Sequence, residues 1–345
     1  MDAKITKSRL GHMLSYDWIK ILAICTAVVV VWILLFTTLA PRATSGQTFE
    51  IYVYPYVTLK DSFGSLSSLR EDGAFSGDVL DMSTNNLLED SKDTVLGAHF
   101  AAGQGDVMFV SSYEYDSGEK DADGNAIMTS DLLQFVNGYG GNCVWLGGEN
   151  EHPMGSYPEN VNTQDYLTSC RNYLAKYYAE GAIEGEGDMT ASQDKQAIET
   201  DFRARIDGDN RYKRESQIQA GLLEEYARIE SLRTAYNNVI GYLQDGTLSV
   251  TELDLTVESE EDENGDGTVD SNDTKQVKGY FSFDLGNVPG IENMITTTRS
   301  EESTSTGKGV NMVILNTRLQ EEALRFEQVT LLDHIVRESA RLQAL

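Results

Sequence analysis

The run DENGDGTVDSND, from Asp262 to Asp273, is where the residue types and spacing of this chain point most directly to chemistry. Asp262, Asn264, Asp266, Asp270 and Asp273 place oxygen ligands at positions 1, 3, 5, 9 and 12, Gly267 stands at 6, and Thr268 offers its carbonyl. Side chains alternating in this way can fold round one Ca2+ ion, and the glycine permits the sharp turn that gathers them. Glu258 to Asp273 holds eight acids and no base, charges that repel one another strongly unless a cation lies among them. The expected role of the ion is structural. A solvated acidic hairpin tip is the alternative.

Enzyme signatures are missing from the sequence. There is no G-x-S-x-G, no H-E-x-x-H, no G-x-x-x-x-G-K-[ST], and no G-x-G-x-x-G opening a helix after a strand. His12, His99, His152 and His334 are scattered, and no carboxylate pair stands out among the many acids. Non-enzymatic binding is therefore expected.

The elements that would carry such a function alternate between strand and helix, the pattern of an α/β protein. FEIYVYPYV, Phe49 to Val57, reads as a strand with Ile51, Val53 and Val57 on one face and Tyr52, Tyr54 and Tyr56 on the other. A helix from Thr94 to Ala102 runs past Gly103 into the strand Asp106 to Val110, and Asp116 to Asn125 is a polar turn region. Asp131 to Val136 reads as a short helix or strand, and helices are expected at Tyr166 to Ala179 and Ser192 to Ile206. A long helix, Lys213 to Gln244, carries Ile218, Leu222, Leu223, Tyr226, Ile229, Leu232, Tyr236, Ile240 and Leu243 at three- and four-residue steps. That stripe is most simply core, with a partner-facing coiled coil as the alternative. Strands at Leu248 to Val257 and Val277 to Leu285 flank the acidic loop, and the strand VNMVILN precedes a terminal helix from Leu319.

Between Ile21 and Ala40 there is no charge, a length that matches the hydrocarbon core of a bilayer. Lys4, Lys7, Arg9 and Lys20 precede this run and only Arg42 closely follows it, so the N-terminus is expected in the cytoplasm and the rest outside. The run exceeds a signal-peptide core, and Pro41 disfavours cleavage after Ala40, so a retained anchor is expected. Beyond residue 42 stand 22 basic and 53 acidic side chains, a net charge of −31 that repels phosphates and excludes nucleic acid as a partner. Cys143 and Cys170 form an even pair in a compartment that permits disulfides; a bridge and two buried thiols are both open.

HFAAGQGDVMFV, His99 to Val110, resembles the first lobe of bacterial solute-binding proteins with the type II periplasmic fold. FSFDLGNVPGIENMI, Phe281 to Ile295, is similar to the stretch after the return crossover in that family, and Val310 to Val336 resembles its terminal strand and helix. The likeness is greatest to single-pass anchored extracellular proteins of Gram-positive bacteria. It departs from ordinary solute-binding lipoproteins in having no lipobox and in its long helix. The acidic loop resembles that of dockerin modules in its Asp at position 12, and that resemblance ends with the loop.

What the resemblance implies is an anchor at 19–40 after a cytoplasmic segment 1–18, lobe one at 41–112 with 280–345, and lobe two at 113–279. A ligand would sit between the lobes, outside the carboxyl ends of the parallel strands, near Tyr56, Thr58, Ser111, Ser112 and Tyr113, with Tyr139 and Trp145 reaching from the opposite lobe. The expectation is a tethered receptor for a small molecule or peptide, working beside a transporter; the competing class is an envelope scaffold that uses the fold for protein contacts.

Overall fold

The computed structural model describes residues 18–39, 43–120, 124–146, 166–258, 274–300, 304–317 and 326–345. The proposed calcium ligands Asp262, Asn264, Asp266, Thr268, Asp270 and Asp273 lie outside the described residues, as do His12 and His152. Two compact units make up the chain, residues 1–43 and 44–345.

In the first unit α1 spans Trp18–Leu39, 22 residues with one charge, Lys20. Its side chains are described at 18–20 and 22–34. Among the residues so described no helix is long and apolar enough to cross a membrane, the run 22–34 being shorter than the roughly 20 residues a span needs.

The second unit is built on a six-stranded mixed sheet. β1 (Thr48–Val53) lies between β3 (Asp81–Asn86) and β4 (Val107–Ser111), parallel to both. β10 (Val310–Ile314) returns antiparallel beside β4, and β8 (Thr274–Asp284) and β7 (Ser249–Glu258) complete the order β3-β1-β4-β10-β8-β7. Two short antiparallel pairs stand apart: β2 (Val57–Leu59) with β9 (Ile295–Thr297), and β5 (Glu114–Lys120) with β6 (Ala126–Ser130).

Because successive side chains of a strand point to opposite faces, both faces of this sheet can be buried, and both are. Phe49, Ile51, Val53, Phe109, Met312 and Ile314 meet one core, with α2 (Leu66–Glu71), α5 (Tyr166–Leu174), α6 (Lys195–Arg205), α7 (Glu215–Asp245) and α8 (Glu327–Gln343). Tyr52, Tyr54, Met108, Val110 and Val313 meet the other, with α3 (Lys92–Ala101) and α4 (Asp131–Tyr139). Phe281 and Phe283, two apart on β8, nevertheless join opposite cores. The register with β7 slips between Val250 and Glu252, and such a bulge resets the alternation.

The mixed α/β class holds. Residues 44–345 form one compact unit, in which β7, placed by expectation in lobe two, extends the same sheet as β1 and β4. Helix α7 supplies core: Leu222, Ile229, Leu232, Tyr236 and Val239 are buried in the first cluster, whereas Leu223, expected in the same stripe, faces solvent because it falls one position round the helix from Leu222. The helix ends at Gly246, whose φ of 80° is the left-handed value a glycine adopts without steric cost.

Cys143 and Cys170 are free thiols, not a disulfide. The physical reason is the sheet between them: Cys170 belongs to the α5 side and Cys143 to the α3–α4 side. Burial pushes both thiols well above their usual pKa, so both stay protonated and unreactive.

A buried ionic network braces the helical layer. Arg228 donates to Glu225 through Nε (3.0 Å) and Nη2 (2.8 Å) and to the Tyr173 hydroxyl (2.6 Å). Arg205 adds a 2.6 Å bond to Glu225 and lies 2.9 Å from Asp78. Three helices, α5, α6 and α7, are thus tied through two side chains of α7.

Candidate functional site

The carboxyl ends of β1, β3 and β4 open on one edge of the sheet, and the segments that follow them meet there. After β1 the chain turns at once: Val57 N–H donates to the Tyr54 carbonyl (3.1 Å), with Pro55 and Tyr56 at the corner. Pro55 presets the second turn position, but Tyr56 at the third has φ 69°, where a type II turn ordinarily uses glycine. A side chain held in this region costs on the order of 1 kcal/mol or more, so the surroundings must hold it.

Those surroundings come from β9. Thr298 N–H donates to the Tyr56 carbonyl (2.9 Å), which carries the next residue, Arg299, across the turn. The Arg299 Cζ lies 4.0 Å from the centroid of the Tyr56 ring and 4.1 Å from that of Tyr115 on β5. A guanidinium stacked on two phenols gains from both ring quadrupoles.

Asp131 closes the niche. It occupies the first turn of α4, where the helix dipole favours a carboxylate, and the helix is capped by Ser130, whose Oγ accepts from Leu133 N–H (3.1 Å). Asp131 is 1% exposed. Its Oδ1 accepts from the Tyr115 hydroxyl (3.0 Å), and Arg299 approaches through Nε (3.2 Å) and Nη2 (3.5 Å). Burial raises the Asp131 pKa, with Arg299 opposing the rise. Burial, and then the Asp131 charge, push the Tyr115 hydroxyl up to about 12.

Behind this niche, Lys92 of α3 sits 5.1 Å from the Tyr54 ring centroid and 2.5 Å from Glu89. Burial foremost, with the charges of Asp131, Asp93 and Glu89, drives the Tyr54 hydroxyl upward. Three carboxylates, Glu89, Asp93 and Asp131, thus stand near three tyrosines, Tyr54, Tyr56 and Tyr115, and two cations, Lys92 and Arg299. Aromatic faces beside carboxylates can hold a cation.

Of the residues expected at the cleft, Tyr56 is in the niche, 44% exposed. Ser111, Ser112 and Tyr113 lie on the same edge: Ser112 N–H donates to the Gly309 carbonyl (2.8 Å), and Tyr113 N–H to Ser111 Oγ (3.2 Å). Thr58 lies on β2, opposite Thr296, with its side chain exposed. Tyr139 packs on Phe100 and Phe135 and donates to the Asp93 carbonyl (3.1 Å), and Trp145 packs on the same core.

Sequence reasoning missed Tyr115, Asp131 and Arg299 as site residues. Tyr115 precedes a stretch that reads only as a polar turn, and Arg299 follows a threonine run with no motif. The available signal was Tyr56 itself, a tyrosine after proline where the turn calls for glycine.

His99 lies elsewhere, its Nδ1 2.6 Å from the Tyr52 hydroxyl, which also donates to Glu50 (3.2 Å). Among the described residues no group of three or more His, Cys, Asp or Glu side chains is placed to hold a metal. Compared with known protein families, with curated proteins and with solved structures, the chain matches none.

Proposed function

We propose that this chain is a membrane-tethered extracellular protein that binds a ligand without transforming it, through the niche formed by Tyr56, Tyr115, Asp131 and Arg299. The observation that carries this reading is the stacked Arg299 over a buried carboxylate, at the carboxyl edge where α/β sheets offer ligands their crevice. The sheet order, with β10 returning beside β4, supports the first-lobe part of the resemblance to solute-binding proteins. In this reading the ligand docks at the mouth of the niche, on the surface of the unit formed by residues 44–345.

The tether rests on α1. Its 22 residues rise about 33 Å, and Trp18, Leu22, Ile24, Val28, Trp32 and Leu34 are each more than half exposed. A helix apolar all round requires lipid or protein about it. Calcium at loop 262–273 belongs to the same proposal: β7 and β8 pair as far as Glu258 and Thr274, which brings the two flanks of the loop side by side. Calorimetric heat with calcium, lost when Asp262→Ala and Asp266→Ala are combined, tests it.

The test of function is a thermal-shift screen on the full-length protein in detergent micelles, with wild type beside Tyr115→Ala. A ligand at a hundred times its Kd adds about 2.7 kcal/mol of stability, several degrees in Tm. The expected result is a compound that stabilises wild type and leaves Tyr115→Ala unmoved. Stabilisation that persists in the variant would defeat the reading. The single compact unit formed by residues 44–345 favours a second reading, an envelope scaffold, in which no small molecule stabilises the protein and a partner protein does.

A further inference from the structure

Arg299 serves its niche poorly. Charge-assisted arginine–carboxylate bonds run about 2.7–2.9 Å, and in the helical layer Arg228 reaches Glu225 at 2.8 Å, Arg203 reaches Glu215 at 2.7 Å and even the longer Arg337–Asp333 contact is 3.0 Å. Arg299 reaches Asp131 at 3.2 and 3.5 Å, although the carboxylate is almost wholly buried and so depends on a cation more than exposed ones do. The Arg299 side chain keeps 24% exposure and Tyr56 is open to solvent, so the niche has a mouth. The backbone under Tyr56 is held in a strained conformation although its ring, stacked on Arg299, stays 44% exposed.

We infer that the niche is a receptor for an arginine side chain of a peptide or protein partner, and that Arg299 is a resident competitor which yields to it. This rests on the proposed function and names its ligand class. The geometry selects a guanidinium over an ammonium: two phenol rings stack on one planar cation, and Asp131 presents two oxygens at its edge, the match for a forked donor. Neighbouring Glu89 and Asp93, and the acidic balance of the whole outer chain, favour a basic partner. Because the site is open to a visitor only while Arg299 is out, the apparent affinity of wild type is lowered by the fraction of time it is closed.

The test measures binding of the pentapeptide Gly-Gly-Arg-Gly-Gly, and of its citrulline analogue, to the full-length protein in micelles. The variants are Arg299→Gln, alone and with Asp131→Asn. Arg299→Gln is expected to bind the arginine peptide about tenfold tighter than wild type or better, to prefer it over citrulline by a similar factor, and to lose that preference with Asp131→Asn. Equal binding of the two peptides, or no gain over wild type, overturns the inference. If Arg299→Gln fails to fold, Arg299→Lys replaces it, keeping a cation without the fork; a smaller gain supports the inference and no gain overturns it. A non-cationic ligand that stabilises wild type but not Tyr115→Ala would overturn this inference and leave the proposed function standing. Loss of every ligand effect would remove both.

Discussion

The carboxylate of Asp131, buried in the first turn of α4, takes the guanidinium of Arg299 from 168 residues further along the chain. Removing the charge by Asp131→Asn keeps an acceptor for Tyr115 and leaves Arg299 partly in water. The loss is therefore expected below the 3–5 kcal/mol of a fully buried broken pair, at about 1–2 kcal/mol. Denaturant unfolding of the variant reads it, and an unchanged midpoint would show that the pair holds nothing.

Tyr56 sets a backbone cost against a stacking gain. Tyr56→Gly relieves the positive φ, worth about 1 kcal/mol, while forfeiting the cation–π contact of similar size, so stability should move by less than about 1 kcal/mol. Tyr56→Ala forfeits the contact and keeps the strain, so it should fall below the glycine variant by about 1 kcal/mol. If the two variants unfold alike, the turn is not strained.

Glu225 carries the helical network. Burial alone would raise its pKa, but Arg228 and Arg205 hold it down to about 2. A depressed carboxylate contributes its stability above the unfolded value near 4.3 and loses it as pH falls through the folded value. Stability should thus decline from about pH 4.5 toward pH 2, and less steeply in a variant that lacks this carboxylate, where Glu215, Asp209 and Glu230 still contribute their own share. Glu225→Gln leaves Arg228 buried without its counter-ion and should cost about 3–5 kcal/mol at neutral pH. A cost under 1 kcal/mol would mean the network is not the brace described.

His334 on α8 is buried, and burial lowers its pKa, with Arg337 adding to the fall and Asp72, Glu338 and Asp333 opposing it. The folded state therefore prefers the neutral ring. Its contribution is complete above the unfolded value of about 6.5 and shrinks as pH drops below it, with a slope of at most about 1.4 kcal/mol per pH unit. Between pH 7.5 and 5.5 the difference in stability between wild type and His334→Gln should narrow. A constant difference would show that the ring does not titrate against folding.

Much of the fold was legible because burial writes itself as period. The α7 stripe, the alternating faces of β1 and the apolar run of β10 each name their packing partners, and the structure uses them so. β3 was illegible: DMSTNN has no apolar alternation, and only its pairing with β1, from Thr48 and Asp81 to Val53 and Asn86, makes it a strand. Strand order was illegible for a related reason, since it depends on pairings far apart in sequence. The state of Cys143 and Cys170 stayed open in the sequence because spacing cannot show which face of a sheet a cysteine takes. At the site, Tyr56 was legible as an aromatic at a strand end, whereas Arg299 and Asp131 meet only through the tertiary fold.

The central claim is that ligand meets protein at the Tyr56–Arg299–Tyr115 niche, and amide hydrogen exchange tests it most directly. With each compound that raises the melting temperature of the full-length protein, exchange should slow in 54–58, 113–116 and 296–300. Protection confined to the α6–α7 layer, with those three segments unchanged, would contradict the account.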